Sequence, residues 1–158
     1  MTPPKIPISV LVVIHTAQGE VLLLERAGPD GQGSGLWQSV TGSLDALDEA
    51  PRAACIREVF EETGLVVGSA DCPESALIDW QHSEEYEIFE RWRHRYAPGV
   101  TRNTEHAFGL KLPRRLPIAL APREHVRYQW LPAAQAAPLC FSPSNARAIE
   151  RLAGPAAT

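Results

Sequence analysis

Arg57-Glu58-Val59-Phe60-Glu61-Glu62-Thr63-Gly64-Leu65 places three glutamates within five positions, ahead of a glycine. The surrounding pattern predicts a helix over Arg52 to Thr63. Pro51 suits the first helical position and Gly64 the C-terminal stop. Ala53, Ile56, Val59, Phe60 and Thr63 recur at helical spacing, and the expectation is that they face inward. Residues three or four apart share a side of a helix, so Glu58 lies beside both Glu61 and Glu62, expected opposite the apolar stripe. Like charges at this spacing cost roughly 0.2–0.5 kcal/mol per pair. A hard cation turns that repulsion into coordination, because Mg²⁺ favours carboxylate oxygens and water. The plainer alternative is a solvated acidic face with Arg57 pairing to Glu61.

Upstream, Ser9 to His15 and Glu20 to Glu25 are β-branched or leucine-rich runs around Thr16-Ala17-Gln18-Gly19, a hairpin signal. Residues 28–35 are rich in glycine, lack P-loop spacing and read as a surface connection. Trp37 to Val40 is a short strand candidate. Downstream, Glu85 to Tyr96 and His106 to Leu112 read as strands around an Ala97-Pro98-Gly99 turn, and Arg127 to Leu131 as another. On that reading Arg91, Arg93 and Arg95 share one strand face. Ser142-Pro143 opens a terminal helix with Ala146, Ile149 and Leu152 inward. The order of elements implies an α+β fold, a mixed sheet carrying helices.

The 158 residues suit one domain, 1–158, with its core over about 5–153. A net charge of −4 argues against a surface for nucleic-acid backbones. The longest apolar run, Ile8 to Ile14, is too short to cross a bilayer, and the N-terminus has no signal-peptide pattern. The net charge leaves room for a small polyanionic partner screened by a metal ion, with neither nucleic acid nor membrane expected; no oligomeric state follows. Three cysteines, Cys55, Cys72 and Cys140, lack metal-ligand spacing, read as small buried hydrophobes and suit a reducing cytoplasm. Trp37, Trp80, Trp92 and Trp130 read as core residues, and His94, His106 and His125 as structural.

Gly42, six residues, Glu49, seven residues and then Arg57 to Leu65 resemble the Nudix box. The usual gap after the glycine is five residues. Counting back from the helix favours Glu49 over Asp48 for the glutamate, since a loop absorbs an extra residue cheaply. The resemblance spans roughly Lys5 to Leu152. Within the family it is similar to the subgroup acting on dihydroneopterin triphosphate, through Pro7 to Ile14, Trp37 to Ser43, Arg93 to Glu105 and Pro143 to Glu150. Val40-Thr41-Gly42 stands where most members have Pro-Gly-Gly.

The resemblance implies an α/β/α fold, a mixed sheet between helices. It also implies Mg²⁺-dependent hydrolysis (Mn²⁺ the alternative) that releases pyrophosphate, with Glu58, Glu61 and Glu62 catalytic. Glu58, Glu62 and Glu124 become metal ligands, with Glu61 a further ligand or a water-orienting group. Gly42, Glu49, Arg57 and Gly64 form the structural frame of the box. Substrate contacts map to Lys5, Arg26, Thr41, Tyr86, Glu87, Ile88, Phe89 and Ser142. Chemically, Lys5 and Arg26 would neutralise phosphate oxygens, and Glu87 would accept the paired amino and ring N–H groups of a pterin. A purine would suit the same aromatic strand, which leaves dATP or an oxidised purine triphosphate as a second reading. A Nudix-fold binding module without turnover is a third. The presence of all three helix glutamates counts against it.

Overall fold

The computed structural model describes residues 2–153. Met1 and residues 154–158, at the ends of the domain expected over 1–158, lie outside the described residues. Seven strands form one mixed sheet: β1 (Ile8–Thr16), β2 (Glu20–Ala27), β3 (Gly33–Gln38), β4 (Val40–Ser43), β5 (Leu77–Glu87), β6 (Arg102–Leu112) and β7 (His125–Pro132). The helices are α1 (Pro51–Thr63), the short α2 (Ala133–Ala136) and α3 (Pro143–Ala153). No described helix is long and apolar enough to cross a membrane.

β1 is buried on both faces, as its apolar stretch Val10 to Ile14 requires. Val10, Val12 and Ile14 join Leu22, Leu24, Phe108 and Leu110 against Ala54, Cys55 and Val59 of α1. Leu11 and Val13 face the other way and pack with Val21 and Leu23 against Ala133, Ala136, Ala148 and Ile149 of α2 and α3. Strand alternation thus divides one sequence run between two helical layers, an α/β/α sandwich.

The sheet splits where the cleft opens. β1 and β2 form a hairpin but pair only at His15 and Val21. Beyond that point β1 takes antiparallel β4 on one side and parallel β6 on the other. β2 instead takes β3 and β7. Ser39, between β3 and β4, marks the crossing from one partner to the other. α3 clamps this point: the buried Ser39 N–H donates to Asn145 Oδ1 at 2.8 Å, and Asn145 Nδ2 donates to Ser39 Oγ at 3.0 Å.

Several elements differ from expectation. α1 begins at Pro51 and stops at Gly64, whose φ of 76° lies in the left-handed region glycine favours. Its buried side, however, is Ala54, Cys55, Val59, Glu62 and Thr63, while Phe60 is 57% exposed. Val59 and Thr63 are buried and Ile56 packs against the core as expected, but a buried glutamate shifts the inward side of the helix so that Ala53 and Phe60 are exposed. α3 is rotated for the same reason: buried Ser144 and Asn145 accompany Ala148 and Ile149, and Leu152 faces solvent. Gly33 to Gly35, expected in a loop, begin β3. β5 lies earlier than predicted and ends at Glu87, because its exposed polar residues conceal an edge strand. Glu90–Arg95 is a 3₁₀ turn, so Arg91, Arg93 and Arg95 do not line a strand. The three cysteines are free thiols; Cys55 and Cys72 are buried and Cys140 is half-buried.

Asn145→Ala should leave the buried Ser39 N–H unpaired, at a cost of about 1–3 kcal/mol. In a chain of this size that is a fall in Tm of about 2–4 °C per kcal/mol. Thermal melts beside Ala146→Gly, a change on the same helix outside the clamp, check it. An unchanged Tm in Asn145→Ala would remove the clamp.

Candidate active site

The glutamates of α1 face different surroundings. Glu62 is 3% exposed and its Oε1 has no hydrogen-bond partner. Glu58 lies against it, mostly buried, and both line a cleft of about 840 Å³. Burial, first, pushes both carboxyls above the usual glutamate range. Between the two, Glu62 is driven further because Glu58 and Glu124 add negative charge near it. Glu61, expected beside them, is 52% exposed and turns towards Arg57 at 3.8 Å, away from the cleft wall.

Arg57 ties the helix to the loop before it. Its guanidinium donates to Glu49 through Nε at 3.2 Å and Nη2 at 2.9 Å, to Glu58 Oε1 at 2.6 Å and to the Ser43 carbonyl at 3.2 Å. Asp45 is 2.9 Å away. The partner is therefore Glu49, not Asp48, and the additional loop residue is absorbed without moving this pair. Gly42 shows why a side chain is missing there. A Cβ would come within 2.2–2.6 Å of the Glu58 carboxyl.

Cations face the carboxylates. Arg26 stacks over the Trp92 ring at 4.7 Å and donates to Gln38 Oε1 at 3.3 Å. The Lys5 backbone N–H donates to the Arg95 carbonyl at 2.8 Å. Desolvation in the cleft, then the neighbouring Arg95 and Arg26, hold the Lys5 ammonium below the usual lysine value, while Glu58 and Glu62 oppose that shift. Thr41 also lines the cleft, but its hydroxyl is spent on the Val10 carbonyl at 2.9 Å.

Glu124 lines the cleft just ahead of β7. The next residue, His125, is buried and was not expected in the site. Arg26 fixes the Gln38 amide so that its Nε2 faces His125 Nε2 at 3.2 Å. The ring nitrogen must then accept, which leaves the proton on Nδ1, an atom with no partner. His125 lies 3.9 Å from Glu62, but burial and then Arg26 push its pKa down to about 4, so the two form no ion pair near neutrality.

The far end of the cleft is aromatic above and polar below. Phe89, Trp92 and Phe141 pack ring to ring with centroids 5.4–5.8 Å apart. Trp92 is thus a cleft wall rather than a core residue. Tyr86 and Ile88 line this end, as does Ser142, whose Oγ lies 3.1 Å from Ser144 Oγ. Glu87 is a correction. It closes β5 with its side chain 72% exposed, 3.9 Å from Arg93, and does not line the cleft. The buried carboxylate at this end is Glu105, on β6.

Among the described residues, no three His, Cys, Asp or Glu side chains already close around one point as a metal cage. Mg²⁺ does not need one, since it keeps several waters and binds through one or two carboxylates plus substrate phosphates. The donor set fits such an ion. Glu62 Oε1 is buried without a partner beside a second carboxyl, and both resist ionisation until positive charge arrives.

An α/β/α sandwich with this glutamate helix over a split sheet defines a class, and the comparisons agree. Residues 5–152 match the NUDIX domain, and the chain belongs to the Nudix family. It is 48% identical over 149 residues to the dihydroneopterin triphosphate diphosphatase of Escherichia coli, covering 93% of this chain and 92% of that one. The Haemophilus influenzae protein of the same name is 38% identical over 145 residues, covering 90% and 85%. The solved structure of the E. coli dihydroneopterin triphosphate pyrophosphohydrolase superposes with a TM-score of 0.83 at 45% identity, over 95% of this chain and 97% of that one.

Glu62→Gln should stabilise the metal-free protein. A carboxyl whose folded pKa lies above its unfolded value binds protons more tightly when folded, so stability falls as pH rises from about 4.5 through the folded value. Glutamine removes that loss. The Tm difference between variant and wild type should grow from pH 5 to pH 8 in EDTA and shrink or reverse with Mg²⁺. A pH-independent difference would show that Glu62 is not a strained buried acid.

Proposed function

We propose that this chain hydrolyses dihydroneopterin triphosphate to the monophosphate and pyrophosphate, with Mg²⁺, or alternatively Mn²⁺, as its metal. One observation carries the reading: a single cleft has a carboxylate pair faced by Lys5 and Arg26 at one end, and an aromatic wall over a buried carboxylate at the other. A triphosphate on a flat, amino-bearing heterocycle has the matching polarity. The relatives named for this reaction support it, since they align along nearly the whole chain. Free thiols support a reducing, cytoplasmic setting.

In this reading Glu58 and Glu62 would hold the metal, with Glu124, which lines the same cleft, as a further ligand. Bound there, Mg²⁺ supplies charge neutralisation and Lewis acidity at the phosphates. Lys5 and Arg26 hold the phosphate chain and balance charge that builds on the departing pyrophosphate. Arg57 holds Glu58 in position through the frame of Glu49 and Ser43, and Gly42 leaves it room. Water adds to the α phosphorus and forms the new P–O bond of the monophosphate. The bond from that phosphorus to the bridging oxygen breaks, and pyrophosphate leaves with the bridging oxygen and its electron pair. The proton of the water passes to solvent.

In steady-state assays kcat/KM should be higher for dihydroneopterin triphosphate than for dATP or GTP, with pyrophosphate the product separated by chromatography. Higher kcat/KM for dATP would shift the function to purine triphosphates, and orthophosphate alone would overturn the cleavage position. Absence of turnover on the whole panel would leave a binding module.

Glu58→Gln should lower kcat by about 10²–10³-fold, the range for losing one electrostatic stabiliser, while the protein stays folded by circular dichroism. Glu124→Ala should raise the Mg²⁺ concentration needed for half-maximal rate. Near-normal kinetics in either variant would remove that residue from the metal site.

A further inference from the structure

β6 carries Asn103 and Glu105 two residues apart, so both project from one face of the strand into the floor of the cleft. Both are nearly inaccessible, Asn103 at 1% and Glu105 at 6%. Asn103 Nδ2 is spent twice, donating to Ser9 Oγ at 2.8 Å and to the Tyr86 hydroxyl at 3.0 Å. These bonds fix the amide, and its Oδ1 is left buried with no partner. Glu105 Oε1 accepts one hydrogen bond, from Ser144 Oγ at 2.8 Å. A carboxylate offers about four lone-pair sites, so capacity to accept remains. The floor therefore presents acceptors, under the wall of Phe89, Trp92 and Phe141.

We propose that Glu105, aided by Asn103 Oδ1, is the specificity-determining residue for the substrate's heterocycle, accepting a ring N–H and the adjacent exocyclic amino group. This rests on the function proposed above and supplies the recognition for which Glu87 is misplaced. The class it selects has two neighbouring donors on one edge, as in pterins and guanine. Adenine presents an acceptor beside its amino group, which sets a lone pair against the carboxylate. Unpaired buried acceptors give large penalties, so the selection is strong.

The electrostatic surroundings agree. Burial pushes the Glu105 carboxyl above the usual range and Glu84 adds to this, while Ser144, Tyr86 and the more distant Arg147 oppose it. Two N–H donors from a bound ring would relieve the same desolvation. The alternative is that Glu105 only anchors α3 through Ser144. In that case its loss weakens every substrate alike.

The test separates the two. Glu105→Gln keeps size and an acceptor for Ser144 but offers an amide donor where a second acceptor is needed. Its ratio of kcat/KM for dihydroneopterin triphosphate over dATP should fall about 10–100-fold, with dATP turnover kept or improved. Binding of neopterin without phosphates, measured by fluorescence in EDTA, should weaken by a similar factor. An unchanged ratio and unchanged neopterin affinity, or an equal loss on both substrates, would overturn the assignment. Should Glu105→Gln fail to fold, the wild-type protein answers alone. Neopterin should bind about 10-fold or more tightly than its lumazine counterpart, in which oxygen replaces the amino group; equal binding refutes the proposal. If wild type favours dATP, the proposed function fails, while the neopterin and lumazine comparison still judges Glu105.

Discussion

Two carboxyl groups placed side by side on the inward face of a helix set the terms for the rest of this molecule. Burying a charge is costly unless it is paired, and Glu58 and Glu62 are paired only in part. Glu58 has the Arg57 guanidinium; Glu62 has an oxygen with no partner at all. The surrounding features read as accommodation of that pair. Gly42 gives up its side chain so that the strand can pass Glu58. Arg57 is held by Glu49, Asp45 and the Ser43 carbonyl, so its charge stays where Glu58 needs it. Lys5 and Arg26 bring positive charge across the cleft without closing on the carboxyls. A site that binds a cation and a polyphosphate needs this imbalance, because a carboxylate already satisfied by protein has nothing left to offer a metal.

The split in the sheet makes room for the pair. A hairpin whose strands stayed zipped would fill the space between β1 and β2. Here they separate after one residue pair, and β4 and β3 take the vacated edges. The opening exposes backbone at the crossing, and the Asn145 amide satisfies it at Ser39. The final helix thus serves the site as well as the core. Its Ser144 reaches Glu105 while Ala148 and Ile149 pack beneath the sheet.

Charge and chemistry are distributed along the cleft by element. α1 and the loops before β1 and β7 supply the ionic end. The turn after β5, the entry to α3 and the face of β6 that carries buried Asn103 and Glu105 supply the flat apolar wall and its acceptor floor. The two ends meet where Arg26 stacks on Trp92 and the Lys5 backbone bonds to Arg95, so the aromatic wall also helps to position the cations.

Features set by local spacing could be read directly from the residues. Pro51 and Gly64 bound α1 because one lacks an N–H and the other tolerates a positive φ, whatever surrounds them. The apolar run of β1 and the register from Glu49 to Arg57 were legible for similar reasons. Tertiary structure decided what depends on partners distant in sequence. Glu62 is buried in the cleft with Lys5 and Arg26 among its other lining residues, so the apolar residues of α1 gave Val59 and Thr63 correctly but not the inward glutamate. Glu87 turns to solvent and Glu105 inward because β5 is an edge strand paired to β6, and pairing register alone fixes which alternate residues meet the cleft. His125 comes within 3.9 Å of Glu62 through a pairing of β7 with β2 that neither segment encodes by itself. Local periodicity states which residues share a face; only the packed sheet determines what that face meets.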